Sequence, residues 1–161
     1  MIRRCALALI AILSLTACQP KAAVKPPAEE SANAAFMAKN SKEPGVVTLP
    51  DGLQYKIVSS GPATGVPPKA QDEVKVNYEG KLLSGEVFDS SFARGQPAAF
   101  PLDEVISGWT EVMQLMRPGD EWMVWIPPTL GYGDEAKGPI PGNSVLQFRI
   151  QLLGVLPHQA G

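Results

Sequence analysis

Residues 73–83 read EVKVNYEGKLL, a stretch in which apolar and polar side chains alternate. A period of two residues is typical of a β-strand that buries one face. Ser84-Gly85 follows at once and offers the small residues of a hairpin turn, after which Val87–Asp89 resumes the extended pattern. This stretch therefore predicts an antiparallel hairpin.

Shorter segments on both sides of the hairpin repeat the strand pattern. They are Leu53–Val58, Ala98–Leu102, the alternating Trp122, Val124 and Ile126, and Val145–Val155. Asp103 is a candidate N-cap for a helix, because apolar residues recur at helical spacing from Val105 to Met116. Residues 127–142 are rich in Gly and Pro and predict a long loop. The expected product is an α+β domain of about five antiparallel strands and one helix.

The composition excludes several classes of function. The 161 residues carry 14 Lys+Arg against 16 Asp+Glu, a formal net charge of −2, so the chain lacks the positive field of a nucleic-acid binder. The single His, His158, lies near the C-terminus, and the two Cys, Cys5 and Cys18, lie near the N-terminus. The body of the chain thus offers no residue for Ser-His, Cys-His or His-metal chemistry. We expect neither a metal nor a cofactor.

The N-terminus has the pattern of an export signal. Arg3 and Arg4 precede an almost unbroken apolar run, Cys5–Leu15. The run is shorter than the about 20 residues that a membrane-spanning helix needs. It ends in Leu15-Thr16-Ala17-Cys18, which resembles the bacterial lipobox, a motif whose Cys is lipidated and becomes the new N-terminus. The alternative is an ordinary signal peptide with an incidental Cys.

The lipobox predicts three parts of the chain. Residues 1–17 would be the signal peptide, 18–45 a lipidated tether with a short helix, and 46–157 the folded domain. Cys18 would anchor the protein in a bacterial membrane, facing the periplasm. Gln19 replaces the acidic residue of an inner-membrane signal, which favours the outer membrane.

Residues 28–42 predict the short helix of the tether. Glu29 and Glu30 lie in its first turn and Lys39 and Lys42 lie in its last, in agreement with the helix dipole. Only Phe36 and Met37 offer an apolar contact, so we interpret this segment as a frayed linker helix rather than a docked element.

An aromatic set remains as the candidate site for binding an apolar residue. Its rings are Tyr78, Phe88, Phe100, Trp109, Tyr132 and Phe148, and one carboxylate, Asp89, directly follows Phe88. Alternatives stay open, because Trp109, Phe88 and Phe148 would serve an ordinary core equally well. Asp89 could cap a turn, since Asp-Ser-Ser is turn-prone. Trp122 is expected in the core, and Trp125, on the opposite strand face, is expected to be partly exposed.

Five segments resemble the FKBP-type peptidyl-prolyl cis-trans isomerases. They are Val76–Gly80 (VNYEG), Val87–Ser91 (VFDSS), Val105–Trp109 (VISGW), Leu130–Gly133 (LGYG) and Gly138–Asn143 (GPIPGN). They occur in the family's order and near its spacing, and the resemblance extends over almost all of residues 46–156. The chain is most similar to the exported bacterial branch that includes the macrophage infectivity potentiator proteins.

The resemblance implies a half-barrel of antiparallel strands wrapped around a short helix. It also implies isomerase activity on proline-containing polypeptides and, as further ligands, macrolide inhibitors. Trp109 would form the floor of the proline pocket. Tyr78, Phe88 and Phe148 would line its walls, and Phe100 would join them in binding the substrate.

The same motif match implies the polar contacts of the pocket. Val105 and Ile106 would form one rim. The Ile106 N–H and the Tyr132 hydroxyl would donate hydrogen bonds to substrate carbonyls, and Asp89 would hold a polar edge. Arg94 and Ile140 would be peripheral members of the substrate site.

Two positions depart from the pattern of many bacterial relatives. Ser107 stands where they carry Pro, and Gly131 stands where they carry Ala. Neither is a wall residue, so we still expect activity. The alternative is a chaperone or surface adaptor of the same fold that holds proline without catalysis. The segment between Cys18 and Val46 is too short for the long helical domain through which exported relatives dimerise, so we expect a monomer.

Overall fold

This computed structural model describes residues 27–158, which form seven strands and three α-helices joined by loops. In chain order they are α1 (Pro27–Asn40), β1 (Val46–Thr48), β2 (Gln54–Ser59), β3 (Glu73–Leu82), β4 (Val87–Ser90), α2 (Ser91–Arg94), β5 (Ala98–Pro101), α3 (Ser107–Met113), β6 (Glu121–Ile126) and β7 (Leu146–Leu156). A 3-10 helix covers Pro128–Leu130. The predicted signal peptide and Cys18 lie outside the described residues. Within that part of the chain, no helix is long and apolar enough to cross a membrane.

All strands join one antiparallel sheet in the order β1-β2-β6-β7-β3-β4, with β5 also paired to β3. The predicted hairpin is confirmed. The Leu82 N–H donates to the Glu86 carbonyl at 2.9 Å, and Gly85 has a φ of +90°, which glycine adopts without a steric penalty. The α+β class is confirmed as well. The expected count of about five strands was too low. The six segments with a strand pattern all form strands, and the seventh strand, β1, was missed because its three residues are too few to show a period.

The core lies between one face of the sheet and α3. Its fully buried members include Val76, Val112, Met113, Val124 and Ile150. Gly108 allows α3 to lie against β6, since a Cβ atom there would come within 2.6 Å of the Ile126 side chain. This close approach fixes the position of α3 and thereby that of Trp109, which follows Gly108 on the helix.

The helix after Asp103 begins later than the sequence predicts. Ile106 is the N-cap of α3, and no side chain caps it. Asp103 is not the cap, because Leu102 is still held in the strand region: its N–H donates to the Asp72 carbonyl at 3.0 Å. The Leu102 carbonyl accepts a hydrogen bond from the Thr110 hydroxyl at 2.6 Å. Residues 102–105 therefore form a turn, and the helix starts after it.

Helix α1 is docked on the domain, so the interpretation as a frayed linker was wrong. The Gln54 side chain donates to the Met37 carbonyl at 2.9 Å and accepts from the Asn40 side chain at 2.8 Å. Gln54 pairs with Trp125 across β2 and β6, and Trp125 is buried, with 8% of its surface exposed. The expectation that Trp125 is partly exposed was wrong, because its strand face is the one on which Gln54 meets α1.

Candidate functional site

A cavity of about 610 Å³ opens beside α3 and the long loop that joins β6 to β7. Every residue predicted for the proline-binding site except Arg94 lines it. Three residues that were not predicted join them: Glu104, Lys137 and Pro139. Each directly adjoins or lies within a quoted motif, so proximity to VISGW and GPIPGN was the available signal. Among the described residues, no three His, Cys, Asp or Glu side chains come together as a metal site would require.

Trp109 occupies the centre of the aromatic lining. Its ring meets those of Tyr78, Phe148 and Phe100 edge to face, with centroid distances of 5.2, 5.3 and 5.7 Å. Such edge contacts add to the free energy of burial and fix the orientation of each ring. Only 4% of the Trp109 surface is exposed. The ring therefore belongs to the core and lines the cavity at once.

A second aromatic pair, Phe88 and Phe148, closes another side of the cavity. The ring centroids lie 5.6 Å apart and the planes cross at 86°. Gly80 makes this arrangement possible, because a Cβ atom there would lie 2.5 Å from the Phe88 ring and 2.8 Å from the Phe148 ring. The glycine of the VNYEG motif thus admits two rings that its neighbours on β4 and β7 supply.

Asp89 forms the polar edge of the cavity together with two partners. The Tyr78 hydroxyl donates to the Asp89 carboxylate, and the Arg94 guanidinium pairs with the same carboxylate. Arg94 also donates to the Tyr78 oxygen at 3.0 Å. Arg94 is absent from the cavity lining and lies behind it as the counter-ion of Asp89. The turn-capping alternative for Asp89 does not hold for α2, since it is the Ser90 side chain that accepts from the Ala93 N–H, at 3.2 Å.

This arrangement keeps the Asp89 carboxylate charged. Burial by itself would raise the pKa of Asp89, but the hydrogen bonds from Tyr78 and Arg94 outweigh it and hold the pKa below its ordinary value. Burial, followed by the bond to Asp89, raises the pKa of Tyr78. At neutral pH the edge is therefore a carboxylate, a neutral phenol and a guanidinium, which together carry no net charge.

Several hydrogen-bond donors on residues that line the cavity have no partner within residues 27–158, the Trp109 indole N–H among them, and two of these donors bear on the predicted substrate contacts. One is the Ile106 N–H at the start of α3, whose residue accepts with its carbonyl from Trp109 and Thr110. The other is the Tyr132 hydroxyl, on the β6–β7 loop, with 37% of the residue exposed. Both are free to donate to a ligand in the cavity.

The protein-family comparison matches residues 65–153 to the FKBP-type peptidyl-prolyl cis-trans isomerases, which is more than half of the 161 residues. This chain belongs to that family. Residues 11–57 match the domain that lies amino-terminal to such isomerases. The matched segment holds every residue that lines the cavity.

Relatives with curated names include two bacterial Mip proteins. The chain is 50% identical over 122 residues to the peptidyl-prolyl cis-trans isomerase Mip of Coxiella burnetii, covering 75% of this chain and 52% of that one. It is 48% identical to the outer membrane protein MIP of Legionella longbeachae, over 75% of this chain and 52% of that one. The chain thus spans about half the length of these relatives.

Solved structures share the fold. The crystal structure of FkpA from Escherichia coli superposes with a TM-score of 0.76 at 43% identity, covering 81% of this chain and 61% of that one. A peptidyl-prolyl cis-trans isomerase from Pseudomonas syringae gives a TM-score of 0.75 at 39% identity, covering 82% of this chain and 97% of that one. The FKBP fold predicted from the motifs is confirmed.

Proposed function

We propose that the chain is a peptidyl-prolyl cis-trans isomerase that accelerates rotation of Xaa–Pro bonds in exported polypeptides. The cavity beside Trp109 carries the proposal. Its lining is aromatic and aliphatic, it has one polar edge, and its size suits a proline ring with its neighbours. Several relatives of the domain, Mip of Coxiella burnetii among them, are themselves named peptidyl-prolyl cis-trans isomerases.

The reaction needs neither an acid nor a nucleophile. An Xaa–Pro bond turns slowly because rotation breaks the amide resonance, at a barrier of about 18–20 kcal/mol. In the twisted transition state the carbonyl oxygen and the nitrogen carry less charge separation than in the planar amide. A surrounding of aromatic rings solvates the planar form poorly, so binding favours the twisted form.

The rings around Trp109 supply that surrounding. Trp109 would contact the proline ring from below, with Tyr78, Phe88 and Phe148 at the sides. A thousandfold acceleration needs about 4 kcal/mol of differential binding, an amount within reach of several ring contacts and one or two hydrogen bonds.

The polar groups would orient the substrate. The Ile106 N–H and the Tyr132 hydroxyl would hold the carbonyls that flank the rotating bond, which restrains the peptide in a turn-like shape. Asp89, held by Arg94, accepts a hydrogen bond from the Tyr78 hydroxyl and so keeps the Tyr78 ring in place. Phe100, Val105 and Ile140 would contact the residues next to the proline.

A protease-coupled assay with a proline tetrapeptide tests the proposal. We expect a rate of cis-to-trans conversion well above that of buffer, and inhibition by a macrolide that competes for the cavity. A folded sample that binds the proline peptide without any rate gain would instead identify a proline-binding adaptor or chaperone of the same fold.

We also infer a place in the cell envelope for the protein. The lipobox-like Leu15–Cys18 segment supports a lipid anchor at Cys18, and the name of the Legionella relative supports the outer membrane. Metabolic labelling with a radioactive fatty acid should mark the wild type and leave the Cys18→Ser variant unlabelled. Light scattering on the protein without residues 1–18 should give the mass of a monomer.

A further inference from the structure

We propose that Asn33, in the tether helix α1, is a positioning residue for the Tyr132 hydroxyl. The inference deepens the proposed function and rests on it, because it gives a residue of the tether a part in the same reaction. It assigns α1 a role besides that of a spacer: the helix supports the loop that carries the Tyr132 hydroxyl, a free donor of the cavity.

Hydrogen bonds connect Asn33 to the residue that follows Tyr132. The Asn33 side chain donates to the Asn143 carbonyl at 2.6 Å, a contact between residues 110 positions apart. The Asn143 N–H in turn donates to the Gly133 carbonyl at 2.5 Å, and the Gly133 N–H donates to the Pro128 carbonyl at 2.9 Å. Gly133, which directly follows Tyr132, is therefore held by hydrogen bonds to Pro128 on one side and to Asn143 on the other.

The two arms of the β6–β7 loop are in direct backbone contact at this point. A Cβ atom on Gly142 would lie 2.1 Å from the Asp134 carbonyl oxygen, so only glycine allows the arms to come this close. Asn143, next to it, has a φ of +56°, a left-handed conformation that Asn tolerates better than most residues. A displacement of the Asn143 arm must therefore move the arm that carries Tyr132.

The helix offers a fixed base for this contact. Its C-terminal end is bound to β2 through the side chains of Gln54 and Asn40, at distances of 2.8 and 2.9 Å. Asn33 lies almost two turns earlier and reaches the loop from a helix that is already held by the sheet. The Tyr132 hydroxyl itself has no partner within residues 27–158, so its position depends on the backbone of the loop.

A double-mutant cycle on the full chain tests the assignment. The Asn33→Asp side chain has the same shape but presents a carboxylate oxygen to the Asn143 carbonyl and cannot donate. We expect Asn33→Asp and Asn33→Ala each to lower kcat/KM for a proline tetrapeptide about threefold, with most of the loss in kcat. In a Tyr132→Phe background the same changes should have no further effect, because the hydroxyl that they would misplace is gone.

Ser41→Ala is the matched control, since it removes an exposed side-chain hydrogen bond, from the Ser41 hydroxyl to the Ala38 carbonyl at 3.0 Å, at the end of the same helix and away from both the loop and Gln54. Its effect on kcat/KM, whatever its size, should multiply independently with that of Tyr132→Phe. Asn33→Gln, which keeps the amide donor, should recover part of the rate lost in Asn33→Asp. Hydrogen exchange at the Asn143 amide should be faster in Asn33→Ala than in Ser41→Ala.

Three outcomes would overturn the inference: independent effects of Asn33→Asp and Tyr132→Phe, coupling of Ser41→Ala to Tyr132→Phe as strong as that of Asn33→Ala, or unchanged exchange at Asn143 in Asn33→Ala. In each of these the wild type is active and the proposed function stands. An inactive but folded wild type would instead refute the proposed function itself.

Discussion

The Tyr78 ring stands edge-on to the Trp109 ring, with the centroids 5.2 Å apart and the planes at 89°. Both side chains are at least 95% buried, and both line the cavity. One contact thus belongs to the hydrophobic core and to the site at the same time. Substitutions at Trp109 are therefore expected to change folding and ligand binding together, and only a comparison of variants can separate the two effects.

Trp109→Ala should cost about 3–5 kcal/mol of unfolding free energy, because a buried ring with three ring neighbours is lost. Trp109→Phe keeps an aromatic ring and should cost less unfolding free energy. Its affinity for a proline peptide should still fall, because the smaller ring contacts the bound proline less closely. Urea unfolding gives the first quantity and calorimetric titration with a proline peptide gives the second. Unchanged binding in Trp109→Phe would show that the cavity floor does not contact the proline.

Tyr132→Phe should lower kcat/KM about two- to tenfold, the value of one hydrogen bond to the substrate. Unfolding free energy should stay the same, since the residue is 37% exposed and its hydroxyl has no partner among the described residues. Tyr55→Phe is the matched control. It removes a hydroxyl from a ring stacked on Trp122, outside the cavity, and should leave kcat/KM unchanged. Equal rates for Tyr132→Phe and the wild type would exclude the hydroxyl as a donor to the substrate.

Gly80→Ala should displace the Phe88 and Phe148 rings, since the added methyl group would lie within 2.8 Å of both. Overpacking of this kind costs about 1–3 kcal/mol of unfolding free energy. Activity should fall at the same time, because both rings line the cavity. Gly154→Ala, on β7, is the control: nothing lies within 4 Å of its Cβ position, and neither stability nor activity should fall. A fully active Gly80→Ala variant would contradict the role given to the two rings.

Much of the site could be predicted because each motif is local in sequence. In VNYEG, Tyr78 and Gly80 share one strand face by the period of two, and in VISGW the helical start places Ile106 and Trp109 at one end of α3. Residues that flank these motifs were missed, because a local motif does not show how the neighbouring loop is folded. Glu104 and Lys137 line the mouth only because of how the turn before α3 and the β6–β7 loop are folded.

Other features depend on contacts between distant segments and left no local pattern. Trp125 is buried on the strand face where Gln54 binds α1, a helix that precedes it by about 85 positions. Arg94 reaches Asp89 and Tyr78 because the single turn of α2 ends at Gly95 in a left-handed conformation. Four residues are too few to show a helical period, so the sequence did not predict α2.

A pair of carboxyl groups outside the cavity predicts a pH dependence of stability. A hydrogen bond with Asp51, together with burial, raises the pKa of Glu111 on α3 to about 7, and the same bond lowers the pKa of Asp51. The pair therefore shares one proton below neutral pH. A raised folded-state pKa contributes stability that is fully present below the unfolded-state value and is lost as the pH rises through the folded-state value.

The wild-type unfolding free energy should accordingly fall as the pH rises from about 4.5 to about 7. Glu111→Gln keeps a hydrogen-bond donor to Asp51 but carries no charge of its own. Its unfolding free energy should therefore not change with pH across this window and should exceed that of the wild type above pH 7. Because both groups are partly solvated, we expect a gain of at most about 1 kcal/mol, a rise of a few degrees in Tm. Glu86→Gln, an exposed carboxylate in the β3–β4 turn, is the control and should leave the slope in place. Thermal unfolding of the three proteins between about pH 4.5 and 8 measures the dependence of Tm on pH. The same dependence in Glu111→Gln and the wild type would show that Asp51 and Glu111 do not share a proton.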